Sequence, residues 1–69
     1  MLGTNIRDRR LKLEMSQEKF AQLIGCSQSN VSKYENGELG IDATMIPKIT
    51  RALGCTIDEL YQDGEQKGA

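Results

Sequence analysis

The chain has 69 residues, enough for one small domain, and a formal net charge of −1 at pH 7. Hydrophobic residues make up 38% of it, too many for a disordered tail, and no apolar run approaches the roughly 20 residues that span a bilayer. It contains no His and two Cys, so neither an imidazole base nor a Cys/His zinc set is available. We therefore expect a cytoplasmic protein that is not an enzyme and has no membrane contact, metal, cofactor or small-molecule substrate.

The charges nearly cancel but are unevenly distributed. Residues 1–24 carry five basic and three acidic side chains, whereas residues 37–69 carry three basic and six acidic ones. Such an asymmetry is most often a property of a solvated surface. Charge by itself therefore does not indicate a polyanionic partner.

The first predicted helix lies at the start of the chain. Thr4 or Asn5 is suited to its N-cap, and it is expected to end near Leu13. Ile6 and Arg10 are four residues apart, so they lie on one face of this helix.

The next two predicted helices each begin after a serine. Ser16 is a natural N-cap for a helix over residues 17–24, and Gly25 suits the left-handed position that ends it. Ser27 is the N-cap of a third helix over residues 28–35, and an Asn-Gly pair follows it.

Residues 38–43 are predicted to form a loop that leads to two further helices. The fourth helix covers residues 44–53, with Pro47 near its first turn, where the missing N–H costs little. Thr56 and Glu59 have the spacing of a capping box, which opens a short fifth helix.

No β-branched alternation interrupts these patterns, so the predicted fold is all-α with five short helices. Residues 1–61 are expected to form one domain and the polar residues 62–69 a flexible C-terminal tail.

Residues 17–37 meet three conditions for a helix-turn-helix. The second of two steeply crossing helices packs over a small residue of the first, which is Ala21 here. The break needs a residue that adopts a left-handed conformation, and Gly25 provides it. The inner faces must be apolar, and the residues that satisfy this condition are Phe20, Ile24, Val31 and Tyr34.

Three segments together carry a family signature: Ser16-Gln-Glu-Lys-Phe-Ala21, Gly25-Cys-Ser-Gln-Ser-Asn-Val-Ser-Lys-Tyr-Glu-Asn-Gly37 and Ile49-Thr-Arg-Ala-Leu-Gly54. With them the chain resembles the lambda-repressor-like (Cro/Xre-type) DNA-binding domain over about residues 4–61. The resemblance implies a sequence-specific transcriptional regulator of repressor type in a bacterium or a phage-infected cell. Such a regulator reads an inverted-repeat operator in double-stranded DNA as a homodimer, with the third helix in the major groove.

The resemblance also implies roles for polar side chains of the second and third helices. The residues expected to contact bases are Gln28, Ser29, Ser32 and Lys33. Gln pairs bidentately with adenine, Ser specifies weakly, and Lys reaches guanine or a phosphate. The residues expected to contact phosphates are Gln17, Asn30 and Asn36, and those expected to form a partly buried ion pair are Arg10 and Glu35. The alternative is that Gln28, Ser29 and Asn36 are ordinary polar residues at helix ends, with no role in binding.

The loop after the third helix departs from the family pattern. Many relatives place Lys or Arg there against the DNA backbone, whereas residues 38–43 contain no base and two acids, Glu38 and Asp42. Because phosphate contacts dominate affinity, we expect modest binding by one site, which dimerisation would increase. The alternative function is a protein-interaction module or an antitoxin-type protein that binds a partner with the same fold.

Four apolar or aromatic residues are candidates for the dimer contact. They are Leu39, Ile41, Leu60 and Tyr61; for the two loop residues, Leu39 and Ile41, the alternative is that they close over the core.

The two cysteines, Cys26 and Cys55, are expected to be small buried side chains, with a redox switch as the alternative.

Overall fold

The computed structural model describes residues 2–62, which form five α-helices and no strand. The helices are α1 (Leu2–Lys12), α2 (Gln17–Ile24), α3 (Gln28–Asn36), α4 (Ile46–Leu53) and α5 (Ile57–Tyr61). The predicted all-α fold is confirmed. The predicted flexible tail lies outside the described residues from residue 63 onward.

Helix α1 begins earlier than predicted, and the prediction of an N-cap at Thr4 or Asn5 was wrong. The helix already includes Leu2, and the Asn5 side chain is buried. Asn5 Nδ2 donates a hydrogen bond to the Leu60 carbonyl at 2.9 Å, and Arg9 Nη2 donates one to the Glu59 carbonyl at 3.1 Å. Because the last carbonyls of a helix have no partner within it, these two side chains tie the end of α5 to α1.

The ends of α2 and α3 depend on local hydrogen bonds, as predicted. The hydroxyls of Ser16 and Ser27 each accept a hydrogen bond from the backbone N–H three residues further on, at 3.0 and 3.1 Å. Gly25 (φ 77°) and Gly37 (φ 78°) adopt the left-handed conformation at the two C-termini. Helix α3 includes Asn36 and is thus one residue longer than predicted.

Helix α4 begins at Ile46, two residues later than predicted, after a turn over residues 43–45. This start places Pro47 in the first turn, where proline is accommodated best. The predicted capping box of α5 is confirmed: Thr56 N donates to Glu59 Oε1 at 2.9 Å, and Glu59 N donates to Thr56 Oγ1 at 3.1 Å. The first of these hydrogen bonds lowers the pKa of Glu59.

One hydrophobic core contains side chains from all five helices. Its buried members are Ile6, Phe20, Ala21, Ile24, Val31, Tyr34, Ile46, Ile49, Leu53 and Leu60. Cys26 and Cys55 are free and only partly buried at its edge, and burial raises the pKa of both thiols. A raised pKa lowers the reactive thiolate fraction, which favours packing over redox chemistry.

The predicted dimer contact through Leu60 was wrong. Its side chain is 0% exposed because it points from α5 into the core, so it does not reach a partner surface. Ile41 is partly buried and packs against the same core, as the core-closing interpretation of the loop predicts. Leu39 and Tyr61 are 40% and 50% exposed.

Candidate nucleic-acid interface

Helix α3 has a buried face and an outer face. Val31, Tyr34 and Glu35 are buried. On the other side Gln28, Ser29 and Lys33 are exposed, while Asn30 and Ser32 are half-buried. The exposed residue that ends the helix is Asn36. The exposed polar groups of the outer face are thus concentrated in the first turn and at Lys33.

The crossing of α2 and α3 has the geometry that the sequence requires of a helix-turn-helix. Ala21 is 3% exposed beneath α3. The Ala21 carbonyl accepts hydrogen bonds from the backbone N–H groups of Gly25 and Cys26, at 2.9 and 3.0 Å. Gly25 thereby reverses the chain within one turn, and Ser27 starts α3 directly afterwards. The first turn of α3 therefore follows directly after the reversal, with Gln28 and Ser29 exposed.

Arg10 and Glu35 form the expected ion pair between α1 and α3. Arg10 Nε lies 2.7 Å from Glu35 Oε2, and Arg10 Nη2 donates to Glu35 Oε1 at 3.1 Å. Arg10 Nη1 donates to the Met15 carbonyl at 2.7 Å, in the segment that joins α1 to α2. The two side chains are 7% and 2% exposed. A bidentate pair fixes direction as well as distance, so this contact orients α3 relative to α1.

Gln17 has contacts that sequence reasoning did not predict. Its Nε2 donates to Glu35 Oε1 at 3.0 Å, and its Oε1 accepts from Gln28 Nε2 at 3.2 Å. Gln17 thus lies between the buried ion pair and the first residue of α3. No signal in the sequence identifies these partners, which are 18 and 11 residues away along the chain.

The start of α1 lies against the end of α3. A Cβ atom placed on Gly3 would come within 2.8 Å of the Glu35 carbonyl oxygen and closer still to that of Tyr34. Both obstacles are backbone atoms, so the close approach of these two helices requires glycine at this position.

The basic residues of α1 to α3 differ in exposure. Arg7, Lys12, Lys19 and Lys33 are exposed, whereas Arg10 is buried and Arg9 is half-buried and donates to α5. The loop after α3 exposes Glu38 and Asp42. Burial raises the pKa of Tyr34, and the nearby Cys26 and Asp42 raise it further.

Residues 2–62 contain no group of three or more His, Cys, Asp or Glu side chains that could hold a metal ion. Within the same residues, no helix is long and apolar enough to cross a membrane.

A family model described as helix-turn-helix matches residues 6–60. This match covers most of the sequence, so the chain belongs to the helix-turn-helix family. The resemblance to lambda-repressor-like domains is confirmed, and so is their fold.

Similar proteins include regulators and a DNA-bound repressor. An uncharacterized transcriptional regulator in the ATPase CF(0) region of Rhodospirillum rubrum is 37% identical over 94% of this chain and 60% of its own length. The restriction-modification controller protein C.AhdI from Aeromonas hydrophila has a TM-score of 0.83 at 32% identity, over 87% of both chains. The P22 c2 repressor, solved in complex with a synthetic operator, has a TM-score of 0.82 at 30% identity, over 87% of this chain and 91% of its own.

Proposed function

We propose that this protein is a transcriptional regulator, of repressor or controller type, that binds double-stranded DNA sequence-specifically. Two copies read an inverted repeat, each with α3 in the major groove and half-sites about 10–10.5 base pairs apart. The site of action is the cytoplasm of a bacterium or of a phage-infected bacterial cell, in keeping with its similarity to bacterial regulators and to a phage repressor.

The observation that carries this proposal is the outer face of α3. Gln28, Ser29 and Lys33 are exposed on one face of this helix. The opposite face is buried in the core, and Glu35 near the end of the helix is hydrogen-bonded to Arg10. Such a rigid helix presents donors and acceptors at fixed positions, as direct readout of bases requires. The similar P22 c2 repressor was solved with an operator, which supports DNA binding by a protein of this fold.

Phosphate contacts are assigned to Gln17, Asn30 and Asn36. Gln17 is the first residue of α2, where the free N–H groups of the first turn attract an anion. Asn36 is exposed at the end of α3, and half-buried Asn30 lies in the first turn of the same helix. With an acidic loop beside this set, the electrostatic share of the affinity is small, and two linked half-sites compensate for it.

The test is selection from a random duplex pool at about 50 mM salt, where electrostatic binding is strong. The wild-type protein is expected to enrich an inverted repeat. Gln28→Ala should lower the preference at one symmetric position by about 1–3 kcal/mol. Lys33→Ala should reduce the salt dependence if Lys33 contacts a phosphate. Gln22→Ala, which removes an exposed glutamine of α2, is the matched control and should change neither property.

The absence of any enriched sequence would refute DNA reading by this protein. The surface of α3 would then be assigned to a protein partner, and the affinity of a purified partner should respond to the same Gln28 and Lys33 substitutions.

A further inference from the structure

A continuous series of side-chain hydrogen bonds leads from the protein interior to the first residue of α3. It begins at Arg10, passes through the buried carboxylate of Glu35 and the half-buried amide of Gln17, and ends at the exposed amide of Gln28. Every link is 3.2 Å or shorter. The series therefore joins the ion pair that orients α3 to the side chain best placed to read a base.

The direction of these hydrogen bonds is determined by the charge at the inner end. A carboxylate paired with Arg has no proton to donate, so Glu35 accepts only, and Gln17 must turn its NH2 group toward it. The carbonyl oxygen of Gln17 then points outward and accepts a hydrogen bond from Gln28 Nε2. Gln28 is left with its own carbonyl oxygen and one N–H for a ligand.

We propose that Glu35 is a specificity-determining positioning residue, which acts through Gln17 to orient the amide of Gln28 for adenine. This inference rests on the proposed function. Adenine offers the N6 amino group as a donor and N7 as an acceptor in the major groove. The carbonyl oxygen and the remaining N–H of Gln28 match that pair, whereas guanine offers two acceptors, O6 and N7, and therefore requires two donors.

The most informative variant is Glu35→Gln. The carbonyl oxygen of the new side chain keeps the shorter contact, with Arg10 Nε at the Oε2 position, because Arg10 only donates. Its NH2 group then takes the Oε1 position, where it gives up the 3.1 Å hydrogen bond from Arg10 Nη2 and donates to Gln17 instead. The amides of Gln17 and Gln28 then reverse, so that Gln28 presents its NH2 group to the groove. At the Gln28 position the preference for adenine over guanine is expected to fall about two- to tenfold, because the reversed amide presents two N–H donors, which suit the two acceptors of guanine.

A second variant removes the anchor without leaving a buried charge. Arg10→Met/Glu35→Met replaces the ion pair by apolar side chains of similar size, a change that buried pairs often tolerate. Gln28 then loses its fixed orientation, and the adenine preference should fall by a similar factor without a shift toward guanine. Ile49→Val serves as the stability control, since it weakens the core in α4 and leaves the hydrogen bonds of the series intact.

The measurement is the relative affinity of each variant for the enriched operator and for operators changed at single positions, below the melting temperature of every variant. A loss of preference confined to the Gln28 position supports the inference. A purely structural role of Glu35 predicts the same proportional loss of affinity at all positions, and that result would overturn the inference. Full adenine preference in a folded Glu35→Gln or Arg10→Met/Glu35→Met protein would also overturn it. If the wild-type protein prefers another base at the Gln28 position, the inference is overturned, but the proposed sequence-specific DNA binding is not. If the wild-type protein enriches no sequence, both the proposed function and this inference are refuted.

Discussion

Among residues 2–62, Glu14 is the one residue other than glycine with a positive φ, 55°. It follows the end of α1, where the chain reverses and the backbone N–H of Met15 donates to the Arg10 carbonyl at 3.1 Å. Helix ends of this shape favour Gly or Asn, because a Cβ atom in the left-handed conformation costs about 1–2 kcal/mol. The Glu14 side chain is exposed. The position therefore carries strain that a single substitution can relieve.

Glu14→Asn is expected to raise the free energy of unfolding by about 0.5–1 kcal/mol, because Asn tolerates the left-handed conformation. Glu14→Ala is the matched control, since it removes the same charge but lacks the short polar side chain whose local hydrogen bonds let Asn adopt the left-handed conformation. Denaturant unfolding of the three proteins checks this prediction. Equal stability of the Asn and Ala variants would show that backbone strain at Glu14 is negligible.

At the scale of the helices, the N-caps Ser16, Ser27 and Thr56 were predictable, because each bonds to a backbone group three residues away. The starts of α1 and α4 were not. The Asn5 side chain, expected at an N-cap, instead donates to a carbonyl 55 residues away. A partner that distant is brought close only by the packing of α1 against α5.

Contact between α1 and α3 depends on Gly3. Gly3→Ala is expected to lower the free energy of unfolding by about 1–3 kcal/mol, because the new Cβ would overlap backbone carbonyls at the end of α3 and push the helices apart. Gly40→Ala is the control, since a Cβ there meets nothing within 4 Å. Thermal and denaturant unfolding compare the two. A Gly3→Ala protein as stable as the Gly40→Ala protein would contradict the close packing of α1 on α3.

At the scale of the whole molecule, the proposed dimer requires an exposed surface for a second copy. Within residues 2–62, six large apolar or aromatic side chains are 40% to 51% exposed: Leu11, Leu13, Leu23, Leu39, Ile57 and Tyr61. Of the predicted dimer candidates, Leu39 and Tyr61 are exposed, Ile41 is partly buried and Leu60 is fully buried. The proposed dimer contact is therefore reduced to residues of the loop after α3 and the end of α5.

Leu39→Asp is expected to shift the protein from dimer toward monomer, because a charge in an apolar interface must be desolvated without a partner. Leu23→Asp is the matched control: it introduces the same charge at a leucine of α2 that is 50% exposed and outside the predicted contact. Sedimentation velocity over a concentration series measures the shift. An unchanged mass for Leu39→Asp would remove this residue from the interface, and an equal shift for Leu23→Asp would mean a general charge effect.

The sequence by itself determined the all-α class, the N-caps of α2, α3 and α5, and the inward and outward faces of α3. These features depend on contacts within one turn of a helix or on its 3.6-residue period, and both are present in the order of residues. The Arg10–Glu35 pair could also be anticipated, but by resemblance to a family. Only the tertiary structure decided that Leu60 is core and that Gln17 joins Glu35 to Gln28. Those positions depend on how three or more helices pack together, and no local pattern encodes that arrangement.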